Sequence, residues 1–128
     1  MSQPVVLIVE DNSILRDMVS RRLRRRGYSI VTASDGELGL TAAQIQKPDI
    51  ILLDMSLPGM DGWSVATKLK SDDETQAIPL IALTAHAMQG DRERALAAGC
   101  DDYESKPINF ISLIKKMDLL MGREASGD

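Results

Sequence analysis

Five side chains with reactive or charge-bearing groups share one placement in this sequence: each directly follows a short apolar run or a strand-like segment. Glu10 and Asp11 follow VVLIV (5–9), Asp54 follows IILL (50–53), Thr84 follows LIAL (80–83), and Lys106 follows DDYES. A carboxylate after one strand is often just a helix cap. Three carboxylates, a hydroxyl and an ammonium at the same end of several strands are not explained by capping. Clustered carboxylates repel one another unless a cation joins them. Mg²⁺ prefers oxygen ligands and is commonly held by one or two carboxylates together with phosphate oxygens. Asp11 and Asp54 are the expected direct ligands, with Glu10 acting through water and the Ser56 carbonyl completing the set. Mn²⁺ is the admissible substitute. Cys100 and His86 form no transition-metal ligand cluster.

A carboxylate beside Mg²⁺ can attack phosphorus and form an aspartyl phosphate. The transferred group spreads negative charge over three oxygens and needs positive charge and donors around it. Lys106 supplies an ammonium, Thr84 a hydroxyl, and the loop at 55–57 backbone N–H groups. Asp54 combines a preceding apolar strand with a following tight loop, DMSLPGMDG, and is the expected nucleophile.

The elements that must position these groups are legible as an alternation. The apolar runs VVLIV, YSIVTA (28–33) and IILL, then LIAL and the polar edge segment DDYESK (101–106), read as five strands. Between them lie five helical patterns. Ile14, Leu15, Met18, Val19 and Leu23 share one face, and Gly27 stops that helix. Leu38, Leu40, Ala42, Ala43 and Ile45 mark a second, ended before Lys47-Pro48. Trp63, Val65, Ala66 and Leu69 mark a third. A fourth covers about 87–98 and closes at Gly99. The fifth carries Ile111, Leu113, Ile114, Met117, Leu120 and Met121. Strands alternating with helices give an α/β fold, a parallel sheet covered on both faces. Its ligands belong beyond the carboxyl ends of the strands.

Smaller features read structurally. Asn12 or Ser13 caps the first helix and Asp61 the third; Gly59 and Gly62 serve turn geometry; Cys100 is a small buried residue. Met60 and Trp63 lie near the site, and Trp63 serves either helix packing or a partner.

The set Glu10-Asp11, Asp54 in LLDMSLPGMDG, Thr84-Ala85 and Lys106-Pro107 resembles the receiver domains of two-component response regulators, from about Val5 to Met121. The resemblance implies a CheY-like, flavodoxin-like doubly wound sheet of order 2-1-3-4-5 with five helices. It implies that Asp54 accepts a phosphoryl group from a phosphohistidine on a sensor kinase or histidine phosphotransfer protein, with Mg²⁺, and that Lys106-Pro107 is cis. It implies a switch in which Thr84 moves toward the phosphoryl group and Tyr103 rotates inward. That rotation remodels the face of helix four, strand five and helix five. Ser56 and His86 would flank the path of the attacking water. The TAHAM…AGCDDYESKPI segment is closest in character to receivers of hybrid kinases and phosphorelays.

Several classes are set aside. An aspartyl-phosphate hydrolase of the haloacid dehalogenase type would carry DxD after the first strand and a cap insertion. A flavin or nucleotide binder would show a Gly-rich phosphate loop. The 128 residues, 44% apolar with net charge −4, suit one domain, expected to span 1–128 with a core at about 5–121 and a tail at 122–128. No apolar run reaches the ~18 residues of a membrane span. The start, MSQPVVLIVED, lacks signal-peptide character, and a single cysteine forms no internal disulfide. The expectation is a complete cytoplasmic signalling module without an output domain, monomeric or weakly dimeric. It would act on a downstream protein and contact neither membrane nor nucleic acid. RRLRRR at 21–26 is expected to be a solvated helix end complementing the helix dipole, with a basic docking face as the alternative.

Overall fold

The computed structural model describes residues 3–85 and 90–122. Five strands, β1 (Val5–Val9), β2 (Ser29–Ala33), β3 (Ile50–Asp54), β4 (Leu80–Thr84) and β5 (Asp102–Ser105), alternate with five helices. The helices are α1 (Ser13–Arg25), α2 (Gly36–Gln46), α3 (Gly62–Ser71), α4 (Asp91–Ala97) and α5 (Phe110–Leu120). All neighbouring strands are parallel, in the order β2-β1-β3-β4-β5. This is the doubly wound, CheY-like arrangement.

The strand pattern explains the two-sided core. Successive side chains on a strand point to opposite faces, so a strand covered on both faces must be apolar throughout. Leu7, Val9, Ile51, Leu53, Leu80 and Ala82 point to one face, where they pack with Ala43, Val65, Ala66, Leu69 and Ala95 of α2, α3 and α4. Val6, Ile8, Ile50, Leu52, Ile81 and Leu83 point to the other, against Val19 and Leu23 of α1 and Leu113 and Met117 of α5. At about 1.5–3 kcal/mol for each large side chain buried, these two layers are the main force holding the strand ends in place. The polar β5 sits at the sheet edge, where a solvated face is tolerated.

The helices bury narrower stripes than their apolar patterns suggest. Ile14 and Met18 of α1, Leu38 and Ile45 of α2, and Ile111 of α5 are exposed. Each helix crosses the sheet along a single line of contact, so residues at the margins of a wide apolar arc are left in solvent. In α2 that line is made of small residues, Gly36, Gly39 and Ala43, which draws the helix so close that its larger neighbours face away. The helix ends follow the sequence: α1 and α4 stop just before Gly27 and Gly99. The fourth helix begins at Asp91, later than the expected 87, because Gly90, with a φ of 110°, stands outside it as the N-cap; residues 1–2, 86–89 and 123–128, including His86, lie outside the described residues.

Candidate functional site

Strand register brings the reactive residues level. Asp54 pairs with Leu83, and Thr84 pairs with Ser105. The residues after β1, β3, β4 and β5 therefore emerge together at the carboxyl edge. Between β1 and β3 the strand order reverses, so the loops leaving them diverge and open a crevice.

Asp54 is the last residue of β3 and is 2% exposed. Its Oδ1 accepts the Ser56 N–H at 3.0 Å, which turns the start of the loop back over the carboxylate. Gly62, the first residue of α3, is required here by close approach. A Cβ at Gly62 would lie 2.4 Å from the Met55 Cα and 2.6 Å from the Asp54 carbonyl oxygen. This differs from the turn role expected from the sequence: Gly62 lets α3 begin directly behind the strand end. Asp61 caps α3 by accepting the Ser64 N–H at 2.8 Å.

Glu10, at 1% exposure, turns inward from the end of β1, whereas Asp11 is exposed. The Glu10 carboxylate accepts the Asn12 N–H at 3.1 Å, and its carbonyl accepts from Arg16 Nη1 at 2.8 Å. Asn12 in turn caps α1 by accepting from Ile14 and Leu15. One short segment thus fixes both the buried acid and the start of the helix. Arg16 is a contributor that the sequence reading missed; its only signal is its place about one turn after the cap.

Lys106 closes the cluster. Its ammonium lies 2.9 Å from Glu10 Oε1 and 3.2 Å from Asp54 Oδ1. Its backbone N–H donates to the Thr84 carbonyl at 2.7 Å, tying the end of β5 to the end of β4. The Lys106-Pro107 bond is cis. Thr84 is buried at the end of β4. Tyr103 is half-buried on β5 and packs against the layer of α2, α3 and α4. Trp63 also packs on that layer, with the Arg94 guanidinium over its ring at 4.2 Å.

The electrostatics follow from burial. Burial pushes the Glu10 carboxyl up from its ordinary range; the Lys106 hydrogen bond and the Asn12 N–H pull it partway back, and the Asp54 charge pushes it up further. Burial acts to lower the Lys106 ammonium, but the hydrogen bond to Glu10 and the charges of Asp54 and Glu10 outweigh it and leave it above its ordinary value. Lys106 therefore remains a cation at neutral pH.

Glu10, Asp11 and Asp54 each offer an oxygen, and these oxygens lie within 4.8 Å of one another. Three carboxylates against one ammonium leave a formal charge of −2 when all are ionised. An all-oxygen donor set of that charge fits a hard divalent cation. The acidic cluster is one that could hold a metal.

The profile of the response regulator receiver domain matches residues 6–118. The chain belongs to this family. It is 42% identical over 122 residues to the probable transcriptional regulatory protein TcrX of Mycobacterium tuberculosis, covering 94% of this chain but 51% of that protein. It thus spans about half the length of that relative. It is 42% identical over 113 residues to the polar-differentiation response regulator DivK of Brucella anthropi, covering 86% of this chain and 92% of DivK. Among solved structures, it resembles the receiver domain of a sensor histidine kinase from Pseudomonas aeruginosa (TM-score 0.87, 36% identity, 94% of this chain and 99% of that one), which has a magnesium ion coordinated in its active-site cleft. A putative response regulator from Chloroflexus aurantiacus superposes with a TM-score of 0.90 at 28% identity, over 95% of this chain and 100% of that one. This receiver domain is a signalling module. No helix among the described residues is long and apolar enough to cross a membrane.

Proposed function

We propose that Asp54 is the phosphoacceptor of this receiver, taking its phosphoryl group from a phosphohistidine on a sensor kinase or histidine phosphotransfer protein. A carboxylate oxygen of Asp54 attacks phosphorus. The P–N bond to the donor imidazole breaks, its electron pair stays on the ring nitrogen, and an acyl phosphate forms on Asp54. The observation that carries this reading is the Asp54 carboxylate itself. It is buried at a strand end, 3.2 Å from the Lys106 ammonium and beside two further carboxylates.

Each neighbouring group has a role in the reading. Lys106 is a fixed positive charge for the phosphoryl oxygens, held by Glu10 so that it does not collapse onto Asp54 alone. Ser56 N–H and the Thr84 hydroxyl are donors to the same oxygens. Asp11, Asp54 and the Ser56 carbonyl would hold Mg²⁺, with Glu10 acting through water. When bound, that ion supplies the additional positive charge that three carboxylates otherwise deny to an incoming phosphoryl group. Thr84 and Tyr103 then carry the change to the face of α4, β5 and α5, which a downstream protein or a further phosphotransfer partner reads. The chain acts as one receiver domain.

The test incubates the protein with Mg²⁺ and acetyl phosphate, beside Asp54→Asn. A base-labile, hydroxylamine-sensitive adduct on the wild type alone is the expected result. Equal labelling of the variant removes Asp54 from its role, and sustained turnover of small phosphomonoesters replaces the signalling reading with a hydrolytic one.

A further inference from the structure

Tyr103 lies on the edge strand β5, and Lys116 of α5 reaches it. The Lys116 ammonium donates to the Tyr103 carbonyl at 2.6 Å and to Glu104 Oε1 at 3.0 Å. The same nitrogen stands 5.2 Å from the centroid of the Tyr103 ring. The Glu104 side chain is only 7% exposed, and Oε1 also accepts the Ser112 hydroxyl at 3.1 Å. A lysine is ordinarily a mobile point charge on a flexible stem. Here the buried Glu104 carboxylate and the Tyr103 carbonyl fix where that charge stands, and it stands over a ring. A cation over an aromatic face is attracted by the ring's quadrupole, so the ring cannot turn about its first side-chain torsion without losing the contact.

We propose that Lys116 is a positioning residue for Tyr103, clasping β5 to α5 so that the ring is held where it now lies and the clasp must loosen before the ring can move. Strand register places this clasp close to the site: Tyr103 pairs with Ala82, two residues before Thr84, and Lys106 follows three residues after Tyr103. The consequence for signalling rests on the reading of Asp54 and Tyr103 given above. In that reading Lys116 sets how much of the unphosphorylated protein already shows the alternative partner-facing surface.

The clasp can be tested without any phosphoryl donor, so its failure is distinct from a failure of the Asp54 assignment. The chain has two tyrosines, and 3-fluorotyrosine labelling gives each a fluorine resonance. Tyr28, buried and hydrogen-bonded to Asp118, serves as the internal reference. Lys116→Met keeps the stem and removes the charge. Because it also strands the Glu104 carboxylate, the double variant Glu104→Gln/Lys116→Met is measured beside it. Both are expected to shift the Tyr103 resonance and raise the population of a second ring position by about two- to fivefold, the loss of one partly exposed cation–ring contact. Tyr28 should stay unmoved. Lys116→Arg, which keeps a cation over the ring, should retain the wild-type signal. A Tyr103 resonance unchanged in both Met variants overturns the proposal. So does a shift shared equally by Tyr28, which would mean general loosening, or an Arg variant indistinguishable from Met.

Discussion

Replacing Lys106 with methionine keeps most of the stem's volume and removes the ammonium that faces both Glu10 and Asp54. The two contacts, 2.9 and 3.2 Å long, join it to carboxylates whose side chains are only 2% and 3% exposed. At an effective dielectric near 20, each unit-charge contact of this length is worth about 5 kcal/mol of direct attraction, offset by the desolvation of the charges. Removing one partner of a buried pair costs about 3–5 kcal/mol, because the partner left behind keeps its burial and loses its compensation. The Lys106 side chain is 20% exposed, so the lower end applies and the expected loss is about 3 kcal/mol. For a chain of 128 residues, an unfolding entropy of ~2.1 cal/mol/K per residue turns this into a fall in Tm of about 10 °C.

The same substitution should strengthen cation binding, since a like charge leaves the neighbourhood of the three carboxylates. An increase on the order of tenfold in Mg²⁺ affinity would stabilise the variant by about 1.4 kcal/mol more than the wild type at saturating Mg²⁺. Urea unfolding in EDTA and in Mg²⁺, with both proteins, measures each quantity. The reasoning fails if Lys106→Met is as stable as the wild type in EDTA, or if Mg²⁺ stabilises both equally.

Two further outcomes are expected elsewhere. Gly62→Ala should cost about 2–3 kcal/mol in urea unfolding and slow labelling by acetyl phosphate, because its Cβ meets the backbone of Met55 and Asp54. Helix propensity alone would give a gain of about 1 kcal/mol, so a stabilised variant would contradict the packing argument. Cys100 is 4% exposed, and burial, with the Asp101 charge added, pushes its thiol up from 9.0 to about 11. At pH 8 its thiolate is therefore about 100-fold scarcer than that of a free thiol, and alkylation by iodoacetamide should be slow until urea unfolds the chain. Since the folded state favours the protonated thiol, this group's contribution to stability is full below about pH 9 and lost as pH rises through about 11. Rapid native-state alkylation at pH 8 would refute this.

The strands were legible because burial on both faces demands unbroken apolar runs, as in Ile50 to Leu53. The helical faces were less so. The pattern of α1 groups Ile14 and Met18 with Val19 and Leu23, yet only the latter two are buried. The spacing of apolar residues marks an arc and does not say which part of it meets the sheet. At the site, residue type and position after each strand named Glu10, Asp11, Asp54, Thr84 and Lys106. What spacing could not show is that Glu10 turns inward while Asp11 faces solvent. Nor could it show that Glu10 meets Lys106 across 96 residues of sequence. Both depend on where each strand ends within the twisted sheet. The support from Asn12 and Arg16 was likewise hidden, since an Asn and an Arg at the start of a helix have ordinary explanations.

The Glu10–Lys106 contact joins the end of the first strand to the end of the last. No fragment that lacks either strand can assemble the acidic crevice with its ammonium, and a chain whose edge strand has detached loses it as well. In the reading proposed for Asp54, uptake of a phosphoryl group would therefore report that the first and last strands are both in place.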